Sequence, residues 1–305
     1  MHVPASRPAG SGTGEMIRHT TNSETNMSYK SILVHLDKKT IAERRIRIAA
    51  NLANAEEACL LGVAMIGIST QTFQQAQIDK KDPVLASHLK FLHERAARFV
   101  REFETIAKRM GVESYEGRVV DEEANQGVSL LARVADLVVI GRTDLNARSP
   151  IVSPDFPEYV MMNAGRPVLI IPPEYDKDVV GKRVMICWNA SRESIRAVVD
   201  AIPILRRADL VQIVMYNVDN EPDVNAELAG SDIALYLARH GINVEVLPPQ
   251  KSKRIGDALL AFARQHSTDL LVMGGYGHTR FREFLLGGVT RTVLAESDIP
   301  ILMSH

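Results

Sequence analysis

Five glycines crowd residues 272–294, VMGGYGHTRFREFLLGGVTRTVL: Gly274, Gly275, Gly277, Gly287 and Gly288. The apolar run DLLVMG (269–274) before them reads as a buried strand, and VTRTVLAES after them reads as a helix. Glycines between a strand and a helix allow positive φ and bring backbone N–H groups close to an anion. The helix N-terminus adds unsatisfied donors and a dipole that favours negative charge. Strand end, glycines and helix start together have the chemistry of a phosphate cradle, although turn-making alone would also use glycines. The spacing is Gly274-x-x-Gly277, nine residues, then Gly287-Gly288. It is neither the GxxxxGK[ST] of a Walker loop nor a GxGxxG after the first strand of a dinucleotide fold.

Other chemistry is thinly represented. There is no GxSxG, no HExxH and no cluster of His and Cys at metal-ligand spacing. Neither an SGGxDS pyrophosphatase loop nor the HxGH of adenylyl transferases is present. Cys59 and Cys187 stand far apart without a CxxC pattern, which points to a reducing, cytosolic setting. Cys187 lies in an apolar strand and reads as a buried, inert thiol.

The elements that must position the glycines come from a repeat. KSILVHLD (30–37) resembles KRVMICWN (182–189), ADLVVIGR (135–142) resembles TDLLVMGG (268–275), and GRPVLIIPP (165–173) resembles DIPILMSH (298–305). Helical and strand patterns alternate between these anchors, which predicts parallel sheets covered on both faces. Each half is read as one doubly wound α/β unit of five strands, over residues 28–173 and 181–305, with a linker at 172–182. The two halves are expected to be related by a pseudo-twofold axis, with the fifth strands free to pair across it. Helices are expected at about 83–110, at 191–208 with Ser191 as N-cap, at 231–241 and at 255–266.

Bulk composition is that of a globular protein: 305 residues, 46% hydrophobic, 24% charged, net charge −1. That balance predicts no nucleic-acid or membrane-surface partner, and no apolar run nears the roughly 18 residues of a membrane helix. Residues 1–27 are set apart as an extension. The Gly, Ser, Thr and Pro content of 1–26 predicts disorder, and Met27 reads as the start of the folded chain.

These residues resemble the universal stress protein family in its tandem, two-domain form. The family pattern of ATP-binding members is G-x-x-G, nine residues, then G-[ST]; Gly274, Gly277 and Gly287 match it, and Gly288 replaces the Ser or Thr. The resemblance implies an adenine nucleotide alpha hydrolase-like fold and ATP, with or without Mg²⁺, in the second half. It places an Asp at the end of the first strand beside adenine and ribose. Asn189 holds that place in the second half, with Ser191 matching a family Ser; Asn189 also suits a helix cap or turn. Val218 would present its backbone to adenine, or is simply a buried strand residue. Met273, Val289 and Thr290 complete the candidate set, Thr290 as a nearby hydroxyl. His278 either meets a phosphate or is a solvated loop residue. Trp188 could stack on a base, with a core role as its default.

The first half keeps Asp37, and Gly141 aligns with Gly274, but Asp144 stands where Gly277 does and Pro150, Pro154 and Pro157 replace the second glycine pair. A carboxylate there repels phosphates, so this half is expected to have lost the nucleotide and kept the fold. The resulting expectation is a cytoplasmic stress-response protein, an intramolecular pseudo-dimer free to pair as a homodimer, that uses ATP as a regulatory or structural ligand with at most slow hydrolysis. The alternative is a nucleotide-free interaction module for a protein partner or a small apolar ligand.

Overall fold

The computed structural model describes residues 28–37, 39–68, 83–142, 153–216, 226–276 and 288–305. The first half runs β1 (Ser31–Leu36), α1 (Lys39–Glu56), β2 (Cys59–Met65), α2 (Pro83–Arg109), β3 (Tyr115–Val120), α3 (Ala124–Ala132), β4 (Leu137–Gly141), α4 (Phe156–Asn163) and β5 (Val168–Ile171). The second runs β6 (Arg183–Cys187), α5 (Arg192–Leu205), β7 (Leu210–Val214), α6 (Ala226–Arg239), β8 (Val244–Val246), α7 (Ile255–Gln265), β9 (Leu270–Gly274), α8 (Gly288–Glu296) and β10 (Ile301–Ser304). The extended helical stretch of the first half is the single helix α2.

All ten strands form one sheet in the order β3-β2-β1-β4-β5-β10-β9-β6-β7-β8. Within each half every pairing is parallel; at the centre β5 and β10 run antiparallel, with Leu169 opposite Leu302. The fifth strands therefore do pair across a pseudo-twofold axis. The inner strands bury both faces, which explains their continuous apolar runs. Alternate residues feed two layers. Val34, Val139 and Val272 face the α1, α2, α5 and α6 side, while Leu33, Val138 and Leu271 face the α3, α4, α7 and α8 side.

The repeated Asp of the two matching strands does the same work twice. Asp136 accepts from the N–H of Lys30 and Ser31 at 2.7 and 2.9 Å. Asp269 accepts from the N–H of Gly181, Lys182 and Arg183 at 3.1, 3.1 and 2.9 Å. Each carboxylate thus pins the start of the strand beside its own, at the end of the sheet opposite the glycines.

Ion pairs and hydrogen bonds join the halves beyond the strands. Arg207 pairs with Glu56, and the Tyr29 hydroxyl donates to the Asp200 carbonyl at 2.6 Å. Arg44 and Asn51 of α1 donate to the linker carbonyls of Tyr175 and Asp178.

Candidate functional site

In the second half β6 lies between β9 and β7, so chain leaving β6 and chain leaving β9 diverge at the C-terminal edge of the sheet. Such a switch point is where open α/β sheets form a ligand crevice. Beyond β6, Asn189 is exposed and Ala190 has φ +56. The Ser191 N–H donates to Asn189 Oδ1 and the Ser194 N–H donates to Ser191 Oγ, both at 3.2 Å. Asn189 thus makes a two-residue side-chain turn, and Ser191 caps α5 as its residue type predicts.

On the β9 side, Gly274 is required by close approach. A Cβ there would overlap the backbone of Glu193 and Ser194 in the first turn of α5. The missing side chain brings the β9 end and the α5 start into backbone contact. Tyr276 follows with φ +46 and donates its N–H to Thr290 Oγ1 at 3.4 Å. The Thr290 side chain is buried, so its hydroxyl ties the turn to α8. Gly288 opens α8, is exposed, and has no heavy atom of the described residues within 4 Å of where a Cβ would stand. Val289 packs partly buried on the second layer, and Met273 is buried in it, which leaves Met273 only its backbone for a ligand. The structure brings Asn189, Ser191 and Gly274 together through α5, and Gly274, Thr290 and Gly288 through the turn. Val218, Gly277, His278, Gly287, Asp144 and Pro150 lie outside the described residues.

Trp188 is buried in the core, its indole N–H without a partner among the described residues. Cys187 is half-buried, and desolvation pushes its thiol up to about 12, which suits an inert role. Among the described residues no group of three or more His, Cys, Asp or Glu could hold a metal ion.

At the matching edge of the first half an arginine takes the place beside the glycine. Arg45 of α1 is buried to 1% exposure and its Nη2 donates to Asp37 Oδ1 at 2.8 Å. Its guanidinium lies against Gly141, where a Cβ would overlap Nη1. Arg45 Nε and Nη1 have no partner among the described residues. Beneath Asp37, His35 is buried against Phe156 with ring centroids 4.9 Å apart, and desolvation lowers its pKa to about 4. The helix after this edge begins with Pro157 in its first turn rather than with glycine. The sequence reading missed Arg45, although its place was legible. It falls between Ala42 and Ala49 on the buried stripe of α1, at three- and four-residue spacing.

Comparison with known proteins fits this geometry. The model of the universal stress protein family matches residues 28–172 and, separately, residues 181–305. The chain belongs to the universal stress protein family. It is 24% identical over 147 residues to universal stress protein Slr1230 of Synechocystis, a match covering 48% of this chain and 49% of that one. The chain thus spans about half the length of that curated relative. A universal stress protein structure from Archaeoglobus fulgidus DSM 4304 matches 90% of this chain and 97% of its own, at 15% identity and TM-score 0.67. A functionally unknown protein from Pseudomonas aeruginosa PAO1 matches 90% of this chain and 92% of its own, at 14% identity and TM-score 0.55. These likenesses establish the tandem universal stress fold. Among the described residues no helix of this family member is long and apolar enough to cross a membrane.

Proposed function

We propose that this universal stress protein binds one ATP per chain, in the second half, and uses it as a regulatory or structural ligand. One contrast carries the reading. At matching positions, the first half buries an Arg45–Asp37 pair against Gly141, whereas the second half presents an exposed Asn189 beside Gly274 and an open Gly288 at a helix start. The residues present fit the ligand. The first amides of α8 suit phosphate, with the dipole of a nine-residue helix behind them. The exposed amide of Asn189 suits an adenine edge or a ribose hydroxyl. Gly277, His278, Gly287 and the backbone of Val218 belong to this proposed site through the family pattern alone. A Mg²⁺ ion would arrive on the phosphates. The domain division at 28–173 and 181–305 and a role in cytoplasmic stress response are part of the same proposal.

Titration calorimetry with ATP, with and without Mg²⁺, tests it: one site per chain is the expected result, and two sites or none would refute it. A second reading, a small ligand held by the first half, draws on one observation. A cavity of about 400 Å³ between α1 and α2 reaches the strand end at Leu36 and Asp37, with Ile46, Phe99, Arg98 and Glu102 also in its lining. Such a ligand would bind equally well in the presence of saturating ATP.

A further inference from the structure

Each half reaches into the loop end of the other, through one polar contact and one contact within the second apolar layer. Arg142 directly follows β4, at the position matching Gly275 after β9. Its Nη1 donates to the Ala295 carbonyl at 2.6 Å, in the last turn of α8. Its Nη2 meets both carboxylate oxygens of Glu174, at 2.8 and 2.7 Å, which fixes the guanidinium. A cation at the C-terminal carbonyls of α8 also complements the helix dipole.

On the other side of the axis, Gly275 is buried against α4. A Cβ there would overlap the Met161 sulfur. The Gly275 N–H donates to the Ser304 carbonyl at 2.9 Å, and its own carbonyl lies 3.0 Å from His305 Nδ1. Tyr276, next in the chain, is tied to Thr290 of α8. Burial, and after it the Glu158 carboxylate of α4, push the Tyr276 phenol above its ordinary range.

The turn at Gly275–Tyr276 and the helix α8 are the two described parts of the proposed cradle. Each is held by a residue of the first half: the turn by Met161, the helix by Arg142. Arg142 also neighbours the Arg45 edge of the first half. Arg142 follows Gly141, against which Arg45 lies, and Met161 shares α4 with Phe156, on which His35 rests. We propose that the first half is a positioning element of the second half's nucleotide site. In this proposal Met161 sets the turn and Arg142 sets α8 relative to it. The inference rests on the nucleotide reading above. It gives the first half a task that its own lost site does not explain.

The test is calorimetry with ATP on the full chain, with hydrogen exchange on the unliganded protein. Arg142→Ala and Met161→Ala should each weaken ATP by about tenfold, within the range of couplings between sites. Arg142→Lys keeps a cation but not the fork that meets the Ala295 carbonyl and Glu174 together, and should fall between the parent and Arg142→Ala. Arg207→Ala removes an inter-half ion pair at Glu56 and should leave ATP affinity unchanged even where it lowers stability. Without nucleotide, the Tyr276 amide and the hydrogen-bonded amides in the last turn of α8 should exchange faster in Arg142→Ala than in the parent. Unchanged ATP affinity in both Ala variants, or an equal loss in Arg207→Ala, overturns the positioning role. A parent that binds no ATP overturns the nucleotide reading. In that case exchange alone decides, and unchanged exchange in Arg142→Ala overturns the positioning role as well.

Discussion

Arg45 Nη2 and Asp37 Oδ1 lie 2.8 Å apart at the C-terminal edge of β1, the guanidinium buried to 1% exposure and the carboxylate to 26%. In the second half the matching Gly274 lies against the first turn of α5 instead, and Asn189 is exposed. Removing the carboxylate strands a buried cation, and breaking such pairs costs about 3–5 kcal/mol. Asp37→Ala should therefore lower unfolding free energy by about 3 kcal/mol, the smaller end because the carboxylate is partly solvated. Urea unfolding checks this. ATP affinity in the second half should change little, since Asp37 does not face that site.

Acidification should act through His35. Desolvation, with Arg45 adding to it and Asp37 opposing, brings its pKa down from 6.5 to about 4. A lowered histidine contributes stability that is fully present above 6.5 and is lost as pH falls through about 4. The gap corresponds to about 3 kcal/mol. Asp200 and Glu56 run the other way: burial raises both, so their contribution is present at low pH and lost as pH rises through their folded values. His35→Leu should flatten the loss between pH 6.5 and 4 and leave the carboxylate effect standing. Chemical denaturation across that window is the measurement.

Gly288 offers a gain of function. The position is helical and exposed, with no neighbour within 4 Å among the described residues, so a side chain fits against them. Gly288→Ser restores the family hydroxyl at the start of α8. A hydrogen bond to a charged group contributes about 1.5–3 kcal/mol, and 1.4 kcal/mol is about tenfold in affinity. ATP should bind at least about tenfold more tightly to the variant by calorimetry. An unchanged affinity would mean that the phosphates do not reach this helix.

Gly274→Ala should do the reverse. Its methyl would overlap the backbone of Glu193 and Ser194, which cannot yield without shifting α5. Overpacking of this kind costs about 1–3 kcal/mol. The variant should lose that much stability and also bind ATP more weakly, because α5 carries Ser191 and the Asn189 turn at its start. Gly141→Ala meets the Arg45 side chain instead, and should leave ATP affinity at the parental value.

Much of the fold was legible because the repeat is written in strands buried on both faces, and a doubly wound layout follows from alternation with helices. Asp136 and Asp269 sit at matching places in the repeated strands, but their job, pinning neighbouring strand starts, needed coordinates. The asymmetry between the two edges was legible in Asp37 against Asn189, whereas positions 144 and 277 lie outside the described residues. Arg45 stood on the apolar stripe of α1 in plain view, but its partners did not, because periodicity does not say that Asp37 and Gly141 meet it. Arg142 and Met161 were beyond reach for another reason. Their partners, Ala295 and Gly275, lie across the axis, and sequence periodicity carries no information about which loop meets which helix there.

The antiparallel join of β5 to β10 has a consequence for heredity. Two copies of one polypeptide meeting at such a join share every codon, so a change at one mouth appears at the other. Here the two sides are spelled separately. That is why Arg142 can stand opposite Gly275, and Asp37 opposite Asn189, without either choice being forced on its counterpart. One mouth can harden into a fixed support while its twin stays open, and each can drift under its own selection.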